Sequence, residues 1–300
     1  MKTSVLLAAL FAIASAEWID IDWSTVRRVE EFDHYWARLP QEYQIYRYAT
    51  PSHRIVNGEE AIPGQFPYQI ALLTNFGAGT SLCGGSVLTN NYILTAAHCV
   101  VDETTLATGG TAIMGAHNRN VQEATQQRIA FTTAGITPHP GYTRTNVRND
   151  IAVVRLNSPI TFTDRIQPTR LPGRSDTRQF GGLIGTVSGF GRTTDTGSTS
   201  PVVRYTSNPI MTNADCNVHW STTQVQPQNV CLATDGGRSS CNGDSGGPLT
   251  VQDGGRSLQI GLVSFGSAAS GCSGPMPKVF ARVSYFLDFI VENSDFIPGP

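Results

Sequence analysis

The chain has 300 residues, a formal net charge of −2, 40% hydrophobic residues and only 15% charged ones. That length can bury one large or two small cores, and the near-neutral balance gives no electrostatic reason to expect nucleic acid or an anionic membrane as partner. The 30 glycines and 17 prolines make turns frequent and exclude a protein of long charged helices.

The N-terminus reads MKTSVLLAALFAIASA before EWID. One lysine, an apolar run from Val5 to Ile13 and the triplet Ala14-Ser15-Ala16 form the pattern of a secretory signal occupying 1–16. A membrane anchor would need about 20 apolar residues, and this run is shorter. No later segment is apolar for long enough to span, so the chain is expected to be secreted into an oxidising compartment, with no membrane as partner. Residues 17–54 then differ in composition from the remainder of the chain. They hold three of the four tryptophans, seven acids and five arginines, with no cysteine or glycine. Such aromatic richness suggests that the stretch packs on something, its own domain being one candidate. PSHR before IVNGEE marks its end, between Arg54 and Ile55.

From there the chain reads as short apolar strands between turn signals: QIALLT, SVLTNNYILTAA, RIAFTTAGIT, DIAVVRL, GTVSGFG, LQIGLVSFG and VFARV. Regular short strands with Gly/Pro punctuation indicate an all-β sandwich or barrel. Only the end looks helical. In VSYFLDFIVEN the residues Val283, Phe286, Leu287, Ile290 and Val291 recur at helical spacing. Six cysteines lie beyond residue 80: Cys83, Cys99, Cys216, Cys231, Cys241 and Cys272. Zinc is the rival reading, but there is no C-x-x-C pair or ligand-spaced histidine cluster. An even count in a secreted chain favours three disulfides, for which sequence allows about fifteen pairings.

Three segments carry possible chemistry. LTAAHC presents His98, RNDIAVVRL presents Asp150 and CNGDSGGPL presents Ser245. Singly they read as a packed histidine, a strand-start cap and a tight turn. Together they offer what a serine hydroxyl needs to become a nucleophile. Histidine titrates in the right range to take its proton, and a carboxylate fixes the tautomer and supports the imidazolium. Glycines around the serine let the N–H groups of Gly243 and Ser245 converge on a developing oxyanion.

With these segments in the order His, Asp, Ser, the chain resembles the chymotrypsin-like serine endopeptidases. IVNGEEAIPGQFPYQ, LTAAHC, NDIAVVRL, CNGDSGGPL and SFG all fall in family order, from Ile55 to about Asn293. GAHN at 115–118, PIMTNADC at 209–216 and YFLDFI at 285–290 resemble the brachyurins, the arthropod collagenolytic subgroup. The resemblance implies two packed six-stranded antiparallel β-barrels with a C-terminal helix, and the pairs Cys83–Cys99, Cys216–Cys231 and Cys241–Cys272. It implies a signal at 1–16, an activation pro-segment at 17–54 and a peptidase domain at 55–300. Cleavage after Arg54 by a trypsin-like protease would free the Ile55 α-ammonium to pair with Asp244. Protein or peptide substrates, a digestive role, protein inhibitors and a monomeric state are expected from the same likeness.

The family also locates a specificity pocket, with Ser239 at its base and Ser264, Gly266 and Lys278 among its lining. Lys278 is the only lysine after Lys2. Trypsin-like relatives carry aspartate at the base and brachyurins often carry an acid at the Lys278 position. Here the sign is reversed, which predicts poor cleavage after Arg or Lys and a preference for acidic side chains. An apolar, chymotrypsin-like preference is the alternative, and a lysine pointing away to solvent is the bland one. Phe190 replaces the family's usual tryptophan. A calcium site in the loop GAHNRNVQEATQQ would have only Glu123, so no metal or other cofactor is expected. An inactive binding homologue is the remaining alternative, but His98, Asp150, Gly243 and Ser245 are all retained.

Overall fold

The structure, a computed structural model, describes residues 18–34, 58–102, 104–195, 197–267 and 270–299. The signal-like stretch 1–16 and the junction of Arg54 with Ile55 lie outside the described residues.

The strands in chain order are β1 (Val26–Arg28), β2 (Glu59–Glu60), β3 (Gln69–Phe76), β4 (Gly79–Val87), β5 (Tyr92–Thr95), β6 (Val101–Asp102), β7 (Thr105–Leu106), β8 (Gly109–Met114) and β9 (Gln127–Thr132). Next come β10 (Ile136–Pro138), β11 (Ala152–Arg155), β12 (Ile184–Gly189), β13 (Arg204–Met211), β14 (Asn229–Leu232), β15 (Pro248–Asp253), β16 (Arg256–Phe265) and β17 (Lys278–Arg282). Two short α-helices, α1 (Asn213–His219) and α2 (Leu287–Glu292), complete the set. The first sheet runs β10-β11-β5-β4-β3-β8-β9 and curls into a half-barrel. The second runs β12-β15-β16-β17-β14-β13, and pairing of β12 with β13 closes it into a six-strand barrel. The all-β expectation therefore holds, with one six-strand barrel closed and the other sheet curled among the described residues.

Inner strands are apolar on both faces because each face meets another layer. In β3 every residue but Asn75 is buried. The two halves share a seam in which Leu94, Ile151 and Val153 pack against Leu262, Val283, Phe286 and Ile290. Removing one such side chain, as in Leu94→Ala, costs about 2–5 kcal/mol. The C-terminal helix holds this seam together. Its first turn is a 3₁₀ turn, Val283–Phe286, which tightens the pitch before α2 begins. Phe289 thereby rotates into the seam, whereas Val291, which helical spacing had placed on that face, is only partly covered.

Two elements escaped the periodicity. Strand β13 points Thr206 and Asn208 inward beside Ile210, so no apolar alternation marks it. Helix α1 is too short for a periodic signature. It is capped by Thr212, whose hydroxyl accepts from Asp215 N at 3.1 Å, so the expectation of a single terminal helix is corrected.

Residues 18–34 lie on this body. Strand β1 adds to β4 in parallel, opposite Thr80–Leu82. The Arg128 guanidinium stacks over Trp18 at 3.9 Å and that of Arg119 over Trp23 at 4.4 Å. Arg128 Nη1 also donates to Ile19 O at 2.9 Å. Val29 and Phe32 are buried, the latter against Phe76.

Candidate active site

The 3₁₀ turn Ala97–Cys99 follows β5 and presents His98, fully buried. Its backbone N–H donates to Asp150 Oδ1 at 3.0 Å, and its Nδ1 lies 2.8 Å from Oδ2. Ser264, near the end of β16, donates its hydroxyl to the same Oδ2 at 2.5 Å. Asp150 is thus bonded on both oxygens, and the imidazole is held in one orientation. The loop leading to it is strained: Val147, β-branched and buried, sits at φ 47°. Such a conformation costs about 1–3 kcal/mol and persists only where packing dictates it. Asn149, also at positive φ, is anchored by Gln228 Oε1 on its N–H (2.7 Å) and by Gly141 O on its amide (2.6 Å).

Ser245 comes from the turn between β14 and β15. Its carbonyl accepts from Gly84 N in β4 at 2.7 Å, so the turn of one sheet is pinned to a strand of the other. Gly246 (φ 78°) makes the turn possible, since a Cβ there would fall 2.3 Å from Thr95 Oγ1. Gly243 (φ 95°) directs its N–H toward the same space as the Ser245 hydroxyl. The disulfides Cys83–Cys99, Cys216–Cys231 and Cys241–Cys272 are formed. The first ties the His98 turn to β4 and the third ties the Ser245 turn to the loop before β17.

A residue that the sequence did not single out stands at the centre. Glu30, buried in the 3₁₀ turn Val29–Glu31, accepts from Gly243 N at 3.1 and 3.2 Å through its two oxygens. Ser245 Oγ donates to its Oε1 at 2.8 Å.

On the other side lie the residues that were expected to line a specificity pocket. Ser239 is fully buried, its hydroxyl bonded to Ser240 O at 3.0 Å and to Cys272 O. Lys278 does not reach solvent. It is 6% exposed and its Nζ donates to Gly271 O at 3.0 Å. A side chain at Gly266 would meet Lys278 Cδ at 2.8 Å and Nζ at 3.1 Å, so the lysine stem lies against bare backbone there. Burial pulls its pKa down to about 8, opposed by the charge of Asp195. That aspartate, another residue not foreseen, caps the adjoining loop by accepting from Cys272 N at 2.6 Å and Ser273 Oγ at 2.7 Å.

Asp244 is buried beneath the turn. It accepts from Gly191 N at 2.8 Å and Cys241 N at 2.9 Å. Burial nonetheless pushes its pKa up to about 7, the two backbone bonds offsetting part of the effect and Glu30 adding to it. Glu123, the lone acid of the 115–127 loop, accepts from His117 N at 2.7 Å and Asn118 N at 3.1 Å. Its oxygens face donors, the polarity opposite to a cation site. Of the clustered metal-capable groups among the described residues, the cysteines are all in disulfides.

No helix among the described residues is long and apolar enough to cross a membrane. Residues 55–290 match the Trypsin family. The chain is 37% identical over 302 residues to a chymotrypsin of Phaedon cochleariae, covering 98% of this chain and 99% of that protein. It is 40% identical over 245 residues to a brachyurin of Leptuca pugilator, covering 81% and 100%. The solved structure of HL collagenase superposes with a TM-score of 0.71 at 34% identity, over 80% of this chain and 99% of that one. The chain belongs to the trypsin family of serine proteases, which act on protein substrates.

Proposed function

We propose that the chain is a secreted digestive endopeptidase, made as an inactive precursor, in which Ser245 is the nucleophile, His98 its general base and Asp150 the group that orients His98. One observation carries this reading. A carboxylate oxygen, Glu30 Oε1, sits 3.1 Å from Gly243 N and 2.8 Å from Ser245 Oγ, where an oxyanion beside the nucleophile would lie. In the reaction, His98 takes the Ser245 proton as Oγ attacks the scissile carbonyl. The N–H groups of Gly243 and Ser245 receive the developing charge, and His98 passes the proton to the leaving amine. Water then repeats the sequence on the acyl-enzyme. The bond from Ser264 supports Asp150 as an acceptor-only carboxylate throughout.

Cleavage between Arg54 and Ile55 would release an α-ammonium for Asp244, whose buried carboxylate is held near neutrality until a cation arrives. The signal at 1–16, the pro-segment at 17–54 and the peptidase domain at 55–300 belong to the same scheme, with a trypsin-like activator, protein inhibitors and a monomeric enzyme. The buried ammonium of Lys278 in the pocket wall favours acidic side chains on the acyl side of the cut and repels Arg and Lys. The enzyme therefore cannot mature itself at Arg54.

The test uses the chain cut after Arg54. A fluorophosphonate probe should label Ser245, and a peptide library should be cleaved after Asp or Glu in preference to Arg. Absence of labelling would mean an inactive homologue. Efficient cutting after Arg would remove the role given to Lys278, and uniform cutting after Leu, Phe and Tyr would favour a chymotrypsin-like pocket.

A further inference from the structure

The contact made by Glu30 has no part in that chemistry, and it occupies the place where the chemistry would happen. Both carboxylate oxygens take the Gly243 N–H, and one takes the Ser245 hydroxyl. A carboxylate in such a cradle resembles the product of peptide hydrolysis, with two oxygens on one carbon beside the serine. It cannot be processed, because attack on a carboxylate would have to expel an oxide. The backbone that delivers it is ordered on both sides. Before Glu30, β1 pairs with β4 at Thr80–Leu82, immediately ahead of Cys83. After it, Phe32 packs at 6.2 Å from the Phe76 ring, and the Arg28–Glu31 ion pair closes the turn. The two tryptophans stacked under arginine extend this footing away from the site.

We propose that residues 18–34 form an inhibitor of this enzyme, seated through Glu30 in the oxyanion pocket, and that the segment acts on the mature enzyme in trans once the chain is cut. The inference rests on the active-site reading above. With no cysteine in residues 17–54, nothing covalent retains the segment after cleavage, so its hold is that of a ligand. The occupant class of the site is an acidic peptide that presents a side-chain carboxylate, not a scissile bond, to Gly243 and Ser245.

The experiment isolates the enzyme from the chain cut after Arg54 and adds back a synthetic peptide of residues 17–54. The wild-type peptide should inhibit competitively against a peptide substrate. The E30Q peptide should bind about tenfold more weakly or worse, because charge-assisted hydrogen bonds are the strong ones. The D22N peptide, altered at an exposed acid away from Glu30, should stay within about twofold of wild type. As a second measure, the wild-type peptide should slow fluorophosphonate labelling of Ser245 and E30Q should not. Equal potency of the wild-type and E30Q peptides overturns the proposal, as does an active, labelled enzyme that ignores the peptide. An enzyme that takes up no probe at all overturns the active-site reading, and this inference with it.

Discussion

The two walls of the site are in different states in the uncut chain. The wall from the first sheet is complete: His98 and Asp150 are joined by two hydrogen bonds, a third comes from Ser264, and a disulfide fixes the turn. The wall from the second sheet is under electrostatic stress. It buries Asp244 and Lys278, and both are driven toward neutrality by desolvation. Neither charge has a formal counter-ion within ion-pair reach among the described residues. A protease can keep its base ready at no risk, because an imidazole without an aligned nucleophile and oxyanion site does nothing. In the proposed scheme the oxyanion and specificity side is where activity can be withheld, and that is where the buried charges without an ion pair are placed.

The largest effect should come from damaging the finished wall. Asp150→Asn leaves the shape intact but offers His98 the wrong tautomer, and kcat of the cut enzyme should fall by about 10⁴-fold with KM little changed. A loss below tenfold in steady-state kinetics would mean that the pair is structural only.

The second expectation concerns the stressed wall. The carboxyl of Asp244 is raised from 3.8 to about 7, so the folded uncut chain binds that proton more tightly than the unfolded chain does. Its contribution is therefore fullest below about pH 4 and is lost as pH rises through 7, up to the order of 4 kcal/mol. Denaturant unfolding of the uncut chain should lose stability across that window, and Asp244→Asn should flatten the slope. An unchanged slope in the variant would assign it to other groups.

The smallest effect is one of selectivity. Below about pH 8 Lys278 carries its charge, and above it the ammonium is lost. Preference for Asp over Leu on the acyl side should therefore fade as pH rises past 8, and Lys278→Gly should erase it by about tenfold at pH 7. A pH-independent ratio would leave the lysine without influence on the substrate.

How far the sequence carried these readings depended on whether the determinant was local. His98, Asp150 and Ser245 sit in segments whose neighbours are themselves informative, and strands such as QIALLT are apolar enough to recognise alone. Lys278 was marked by its rarity, but its direction was not, because that is set by the missing side chain of Gly266 and the carbonyl of Gly271. Asp195 reaches its partners Cys272 and Ser273 across more than 70 residues of chain. Glu30 was invisible for the same reason: it is one of seven acids in its stretch, and only the register of β1 on β4 brings it to Gly243, 213 positions away. The aromatic composition of 17–54 hinted at docking. It carried no address.

The footing of that segment is made of stacked guanidinium groups, a short parallel strand and a few apolar contacts, with no covalent link. While the chain is whole, the tether keeps the segment at an effective concentration that reaches about millimolar for short flexible links. The proposed cut at Arg54 would remove this tether, whatever else it rearranges around Asp244. At high protein concentration the freed segment would stay near its site. Diluted into a large volume it would leave, and dilution itself would become the signal that starts proteolysis.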